Sequence, residues 1–144
     1  MPHLVILYTP NLEPEVEMGA LCRELADTML AARDDEDLPV FPPGGVRVLA
    51  YPAAHHAVAD GGAAGRAAGG SGEYGFMYLN LRRARGRSAA VQQRAGQALV
   101  ATTRRRLDPV LAGRAVGVTL QIDEGPEVFD AKHSSLHPLF RRTD

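Results

Sequence analysis

The sequence predicts an α+β fold, a two-layer sandwich with two helices on one face of a four-stranded sheet. Four short segments have the composition or alternation of strands, at positions 3–8, 46–51, 76–81 and 116–122. A helix-like amphipathic segment separates the members of each pair, so the chain has the order β-α-β twice. Because a crossover between parallel strands is right-handed, both helices then lie on the same side. The length suits a single domain, 1–144, with one core.

The first unit opens with a strand and continues into a helix. Residues 3–8 are almost continuously apolar, as expected of a strand buried on both faces. Asn11 is a candidate N-cap, and Pro14 suits a first helical turn, where its missing N–H costs little. An acidic run at 34–37 and a Pro/Gly-rich loop end the helix. Its apolar face comprises Met18, Leu21, Cys22, Leu25, Met29 and Ala32.

The second unit repeats this order. Residues 76–81 form the predicted strand, and Ser88 is a natural N-cap for the helix that follows. Pro109 should kink or end this helix, because proline lacks the N–H that a helix interior needs. Residues 116–122 then alternate between apolar and polar or small side chains, which predicts a strand with one buried face. The apolar face of the helix comprises Val91, Ala95, Ala98, Leu99, Thr102 and Leu107.

Two segments fall outside the repeat. Residues 59–73 are rich in glycine and alanine, so we expect a mobile loop without a function of its own. Residues 70–75 match the pattern G-x-G-x-x-G, but they lead into a strand rather than a helix, and we reject a dinucleotide site there. The tail at 126–144 carries too many apolar residues to stay exposed. It should pack across the domain or onto a neighbouring chain.

Charge and composition exclude several classes of partner. The net charge of -1 and the pI near 6.5 give no general attraction to nucleic acid or to an anionic membrane. No stretch approaches the ~18 apolar residues of a membrane helix, and the run at 3–8 is too short for the core of a signal peptide. Cys22 is the only cysteine, which excludes an internal disulfide and fits a reducing compartment. We therefore expect a cytoplasmic protein.

Pro2 is the first candidate for chemistry. Once Met1 is removed, residue 2 carries a free secondary amine at the end of the chain. The pKa of an α-amino group is near roughly 8, so this nitrogen can be tuned into a base at neutral pH. The alternative is purely structural, because proline is well tolerated at the first residue of a strand.

Two arginines are candidates for binding an anion. Arg87 stands at the predicted start of the second helix, where free N–H groups and the helix dipole favour a negative charge. The alternative for Arg87 is a solvated side chain bonded to a loop carbonyl. Arg47 follows Gly44 and Gly45 inside a short strand, where a guanidinium turned inward requires an anionic partner. Turned outward, Arg47 is an ordinary strand residue.

Histidines and hydrolase motifs give weaker signals. His133 and His137 have no partner at metal-ligand spacing beyond Asp130, so we expect no metal site. No G-x-S-x-G motif occurs, and Cys22 sits among apolar neighbours. The arginine clusters, with 104–106 among them, are typical of solvated faces rather than of nucleic-acid sites.

Taken in order, these features resemble the 5-carboxymethyl-2-hydroxymuconate isomerase family of the tautomerase superfamily. The resemblance spans nearly the whole chain. It rests on Pro2-His3 at the start of a strand, Gly45-Val46-Arg47 after a Pro/Gly loop, the stretch from Glu73 to Leu81 that leads to Gly86-Arg87-Ser88, and the tail from Phe129 to Phe140.

The resemblance implies a homotrimer in which Pro2 acts as general base or acid, without a metal or an organic cofactor. Arg47 and Arg87 match the family's carboxylate-binding arginines. The substrate would be a small carboxylate, a dienol of the 2-hydroxymuconate type, and neither nucleic acid nor a membrane would be bound. Three alternatives stay open. One is a decarboxylase, hydratase or dehalogenase of the same superfamily acting on a small unsaturated acid, and the second is a non-catalytic oligomeric interaction protein that retains Met1. The weakest is a nucleic-acid binder that uses the arginine clusters, whose affinity would fall steeply with salt.

Overall fold

The computed structural model describes residues 2–125 and 128–140 of the chain. In this part, four strands lie in the order β2-β1-β3-β4, with parallel outer pairs and an antiparallel centre. The strands are β1 at His3–Tyr8, β2 at Arg47–Pro52, β3 at Gly75–Arg83 and β4 at Val116–Glu124. The helices are α1 at Met18–Ala31, α2 at Ala63–Ala67 and α3 at Ala89–Gly113. None of these helices is long and apolar enough to cross a bilayer.

The hydrophobic core lies between the sheet and the two long helices. Successive residues of a strand point to opposite faces, so the even positions of β1 and the odd positions of β3 face the helices. Burial follows this alternation, and the predicted two-layer fold with a doubled β-α-β order is confirmed. The residues at the centre of the core are fully buried: Leu4, Ile6, Leu21, Leu25, Met29, Met77, Leu79, Leu81 and Leu99.

Helix α1 begins later than the sequence suggested. Glu17 is its N-cap, and the Glu17 carboxylate accepts hydrogen bonds from two backbone N–H groups of the first turn. Pro14 therefore precedes the helix. The side-chain amide of Asn11 donates to the carbonyl of Tyr74 at 2.9 Å. The expected capping by Asn11 was wrong, because this residue ties the loop after β1 to the segment before β3.

Helix α3 continues through Pro109 to Gly113, so of the two predicted effects of this proline the end of the helix was wrong, and the kink stays a prediction. A proline in a helix interior costs about 3 kcal/mol, because a hydrogen bond is lost and the ring meets the preceding turn. Leu107 and Val110 flank Pro109, and both are buried. Burial on both sides of the proline offsets its cost and keeps the last turns in place.

A short helix interrupts the segment 59–73, for which we expected only a loop. The Asp60 carboxylate accepts hydrogen bonds from three successive backbone N–H groups at 2.9 to 3.1 Å, and these bonds start α2. They also hold the pKa of Asp60 below its usual value. The Tyr74 hydroxyl accepts a further bond from the N–H of Gly65 at 2.9 Å. Polar capping thus supplies the order that large apolar side chains do not. The mobility of this segment stays a prediction.

The sheet face turned away from the helices remains open over much of its area. Large apolar side chains lie exposed on it, with Leu49 44% and Tyr51 50% accessible. Beside them, a chain of side-chain hydrogen bonds crosses from β3 to β4, in which the Tyr78 hydroxyl donates to Gln121 at 2.8 Å. A mixed apolar and polar surface of this size is typical of an interface between chains.

Tyr8 should titrate later than an ordinary tyrosine. Burial, together with a 2.8 Å hydrogen bond to Glu13, raises the pKa of Tyr8 to about 12. An unfolded tyrosine titrates near about 10, so the folded protein keeps a proton that the unfolded chain has lost. Stability should therefore fall as the pH rises from about 10 to 12.

A spectroscopic titration of phenolate absorbance measures this directly. One of the four tyrosines should ionise late, and Tyr8→Phe should remove that late step. Tyr51→Phe, at an exposed position, should leave it in place. Four tyrosines that ionise together in the wild-type protein would contradict the prediction.

Candidate active site

A cavity of about 580 Å³ opens at the edge of the sheet where β1 starts and β3 ends. Its walls come from Pro2 at the start of β1, the loop at 40–45, and the turn at 83–87 between β3 and α3. Residues of the tail close one side, namely Lys132, His137 and Phe140. The site forms here because the antiparallel pairing of β1 with β3 brings the first residues of the chain beside the end of β3.

Pro2 is buried in the wall of this cavity. Its ring packs closely on Gly45, where an added Cβ would lie 3.1 Å from Pro2 Cδ and 3.4 Å from Pro42 Cγ. Glycine at position 45 therefore lets the ring approach the loop. Burial disfavours the charged form of an amine, so an amine at this position is shifted towards its neutral, basic form. Met1, whose removal we predict, lies outside the described residues.

The described part of the tail packs over the loop at 43–45. An added Cβ on Gly44 would lie 3.2 Å from His137 Cδ2 and equally close to Phe140 Cδ2. This contact agrees with the expectation that the tail crosses the domain. The apolar residues of the described tail nevertheless stay exposed in the single chain, with Phe129 86% and Leu139 74% accessible, so the domain does not cover them and packing onto a neighbouring chain stays a prediction. The ends of the predicted tail segment, 126–127 and 141–144, lie outside the described residues.

Arg87 lines the Pro2 cavity at the start of α3. Ser88 caps this helix by accepting a hydrogen bond from the N–H of Val91, as predicted from the sequence. The Arg87 Nη2 donates to the carbonyl of Val40 at 3.2 Å, and Nη1 lies 3.9 Å from Asp34. The structure shows the bonds to loop carbonyls that the second interpretation expected, and the side chain also borders the cavity, so anion binding by Arg87 stays a prediction.

Arg47 lies in a neighbouring cavity on the other face of the sheet. Its register partner in β1 is His3, and both line a space of about 550 Å³ with Arg82. The Arg47 Nη1 donates to the carbonyl of Gly44 at 2.9 Å. The two cavities share Lys132 and His137 but not Arg47. The structure thus brings Pro2 and Arg87 together and places Arg47 behind the tail.

Three cationic residues of the Pro2 cavity were not predicted from the sequence: Arg83, Arg85 and Lys132. The reason for Arg83 is specific, because the predicted strand ended at Leu81 whereas β3 extends two residues further. In a strand of period two, a buried Leu81 puts residue 83 on the buried face as well. Continued alternation was the signal that could have found it.

The Pro2 cavity is lined by cations and by no carboxylate among the described residues. Lys132 is paired with Asp130 next to the cavity, and this hydrogen bond holds the pKa of Asp130 below its usual value. Arg83, Arg85 and Arg87 supply three guanidinium groups, which bind carboxylates by paired N–H···O bonds. The apolar walls formed by Phe41 and the prolines lower the local dielectric. Such a site suits a small polycarboxylate.

Comparison with known proteins places the whole chain in one family. The family model described as 5-carboxymethyl-2-hydroxymuconate isomerase matches residues 2–140. A curated relative, the 5-carboxymethyl-2-hydroxymuconate Delta-isomerase of Escherichia coli, is 22% identical over 141 residues. That alignment covers 98% of this chain and 100% of the relative.

Solved structures agree with the family model. A crystal structure of 5-carboxymethyl-2-hydroxymuconate delta-isomerase is 61% identical with a TM-score of 0.96, covering 100% of this chain and 95% of the other. A 5-carboxymethyl-2-hydroxymuconate isomerase from Deinococcus radiodurans R1 is 30% identical with a TM-score of 0.79, covering 98% of this chain and 95% of the other. The resemblance inferred from the sequence is confirmed, and the chain belongs to the 5-carboxymethyl-2-hydroxymuconate isomerase family.

Proposed function

We propose that this protein is an isomerase that moves a proton within a dienol of the 5-carboxymethyl-2-hydroxymuconate class. The observation that carries the proposal is the burial of Pro2 in a cavity lined by three arginines. Family membership supplies the substrate class, since the relatives are named for this reaction. Removal of Met1 exposes the amine that the reaction needs.

The Pro2 amine would act as the base. Desolvation and the neighbouring guanidinium groups both disfavour an ammonium ion, so both lower the pKa of the amine and favour its neutral form. It takes the hydroxyl proton of the dienol and returns a proton to a distant carbon, while the double bonds shift to give the ketone. One proton moves and no electrons are gained or lost. A single amine that first accepts and then donates one proton is therefore sufficient for the reaction.

The arginines would bind the carboxylates and stabilise the enolate charge that develops. Arg87 lies in the Pro2 cavity at the N-terminus of α3, where the helix dipole adds to its charge. Arg47 would engage a carboxylate that extends past Lys132 and His137 into the adjoining cavity. Both arginines are held by backbone carbonyls, which fixes the guanidinium groups before the substrate arrives.

Other reactions of a small unsaturated acid would use the same amine. An assay that compares turnover of a 2-hydroxymuconate with turnover of a halogenated acrylate would distinguish isomerisation from decarboxylation, hydration or dehalogenation. A non-catalytic interaction protein would turn over neither acid. The fold is shared by all of these functions, and the residues of the cavity decide between them.

Retention of Met1 should abolish activity. Protein processed to begin at Pro2 should isomerise a 2-hydroxymuconate, whereas a chain that keeps Met1 has an amide at this nitrogen and no base. Intact mass establishes which form is present, and the absorbance change of the dienol gives kcat/KM. Pro2→Ala, once processed, leaves a primary amine and should retain part of the rate. Equal kcat/KM for the processed and the Met1-bearing forms would contradict a mechanism in which the Pro2 amine is the base.

Gly45→Ala should lower activity without unfolding the protein. The new Cβ would lie 3.1 Å from Pro2 Cδ, so the ring or the loop must shift by a few tenths of an ångström. Misplacement of a catalytic group by about 1 Å costs up to ~100-fold, and we expect a loss of kcat/KM of about tenfold. Gly113→Ala is the matched control, because a Cβ there meets no atom within 4 Å. Unchanged kcat/KM for Gly45→Ala would contradict close packing at Pro2.

We also propose that the protein is a homotrimer assembled through the open sheet face. Leu7, Leu49, Tyr51 and Phe76 lie on this face and are 37–50% exposed in the single chain. Apolar area of this kind is stabilised when a second copy covers it. The hydrogen-bonded polar side chains beside it, such as Asn80 and Asp123 at 2.7 Å, would give the interface its register.

Sedimentation equilibrium should give a mass three times the 15.4 kDa of the chain. Leu49→Arg places a charge on the open face, on the outer strand β2, and should shift the mass towards the monomer. Val100→Arg is the control, because Val100 is similarly exposed but lies on α3. A wild-type monomer at micromolar concentration, or the same mass for all three proteins, would exclude this interface.

A further inference from the structure

Arg83 is a buried arginine at the end of β3. Its side chain is only 6% exposed and continues the inward-facing row of Leu79 and Leu81. A guanidinium in this position carries a large desolvation cost unless its donors meet an anion. We therefore expect the buried Arg83 guanidinium to be bound to an anion.

Glu124 meets part of that requirement. The Arg83 Nη2 donates to Glu124 Oε1 at 2.5 Å, and the register of β3 with β4 places the two residues opposite each other. A guanidinium has five N–H donors, and the Nε of Arg83 is buried without a hydrogen-bond partner among the described residues. One carboxylate thus fixes the guanidinium while further donors remain unused.

Arg83 lies at the end of β3 that pairs with the start of β1. The ladder ends with His3 opposite Arg82, and Pro2 and Arg83 are the next residues of the two chain segments beyond it. Both residues line the same cavity. A group bound by Arg83 would therefore lie beside the proposed base.

The other arginines of this region are either bonded to backbone carbonyls or exposed to solvent. Arg87 and Arg47 donate to carbonyls of their own chain, and Arg85 is exposed. Arg83 alone combines a dehydrated guanidinium, a fixed orientation and an unused buried donor within the described part of the cavity. A charged hydrogen bond is strongest where water is excluded.

We propose that Arg83 is a substrate-binding residue that holds one carboxylate of a polycarboxylic acid beside Pro2, and that Glu124 positions its guanidinium. Three carboxylates on the substrate would then find three cationic partners, Arg83, Arg87 and Arg47. The identity of the substrate rests on the proposed function. Binding of the anion by Arg83 does not require the amine chemistry of Pro2, so the two can fail separately.

Calorimetric titration with propane-1,2,3-tricarboxylate, an unreactive tricarboxylic acid, tests this inference. Arg83→Met keeps the aliphatic stem and removes the donors, and it should weaken binding at least tenfold. Arg114→Met is the matched control. Arg114 is also bonded to one carboxylate, Glu15, and has buried unpartnered nitrogens, but it lies at the opposite end of the sheet. The affinity of the Arg114→Met variant for the tricarboxylate should stay within about twofold of the wild-type value.

Arg83→Lys keeps the charge without the forked donors and serves if the Met variant does not fold. It should bind with an affinity between those of the wild type and the Met variant. Wild-type affinity in Arg83→Met or in Arg83→Lys would overturn the proposal, as would equal losses in the Arg83 and Arg114 variants. Arg83-dependent binding in a processed protein that isomerises nothing would instead reject the proposed function alone.

Discussion

The antiparallel pairing of β1 with β3 at the centre of the sheet is the constraint on which the site depends. Each β-α-β unit by itself would leave its strands with an open edge, and the central pair joins the two units into one sheet. Because the strands run in opposite directions, the beginning of the first unit meets the end of the second unit's first strand. Pro2 comes to lie beside the turn that carries Arg87 for this reason.

Around that junction, each wall of the cavity is held by contacts whose cause can be named. Glycine at 44 lets the tail approach the loop, and glycine at 45 lets Pro2 approach it. Ser88 caps α3 and fixes the position of Arg87, whose guanidinium in turn bonds to the loop at Val40. The loop, the helix start and the tail are thus mutually supporting. A substitution in the loop, the helix start or the tail is therefore expected to alter the position of Pro2.

The fold and part of the site could be predicted because they rest on local periodicity. The strands and both long helices follow from alternation and helical spacing, and Pro2 and Arg87 stand at positions that the motifs mark. The corrections concern interactions between distant residues. Asn11 bonds to Tyr74 instead of capping a helix, and burial on both sides carries α3 through Pro109. Arg47 lies in the adjoining cavity because strand parity decides the face on which a side chain emerges.

Arg82 and Arg83 are neighbours in sequence and so emerge on opposite faces of the same strand end. Each lines one of the two cavities that meet behind the tail. Guanidinium groups therefore emerge on both faces of this edge, with Arg83 paired with Glu124 and the nearby Lys132 paired with Asp130, although the chain as a whole carries a net charge of -1. Guanidinium groups gathered at one edge attract a polyanion over about a Debye length, ~10 Å at about 0.1 M salt. The rate at which a polyanionic substrate is captured should then fall as ionic strength rises, even though the net charge of the protein is close to zero.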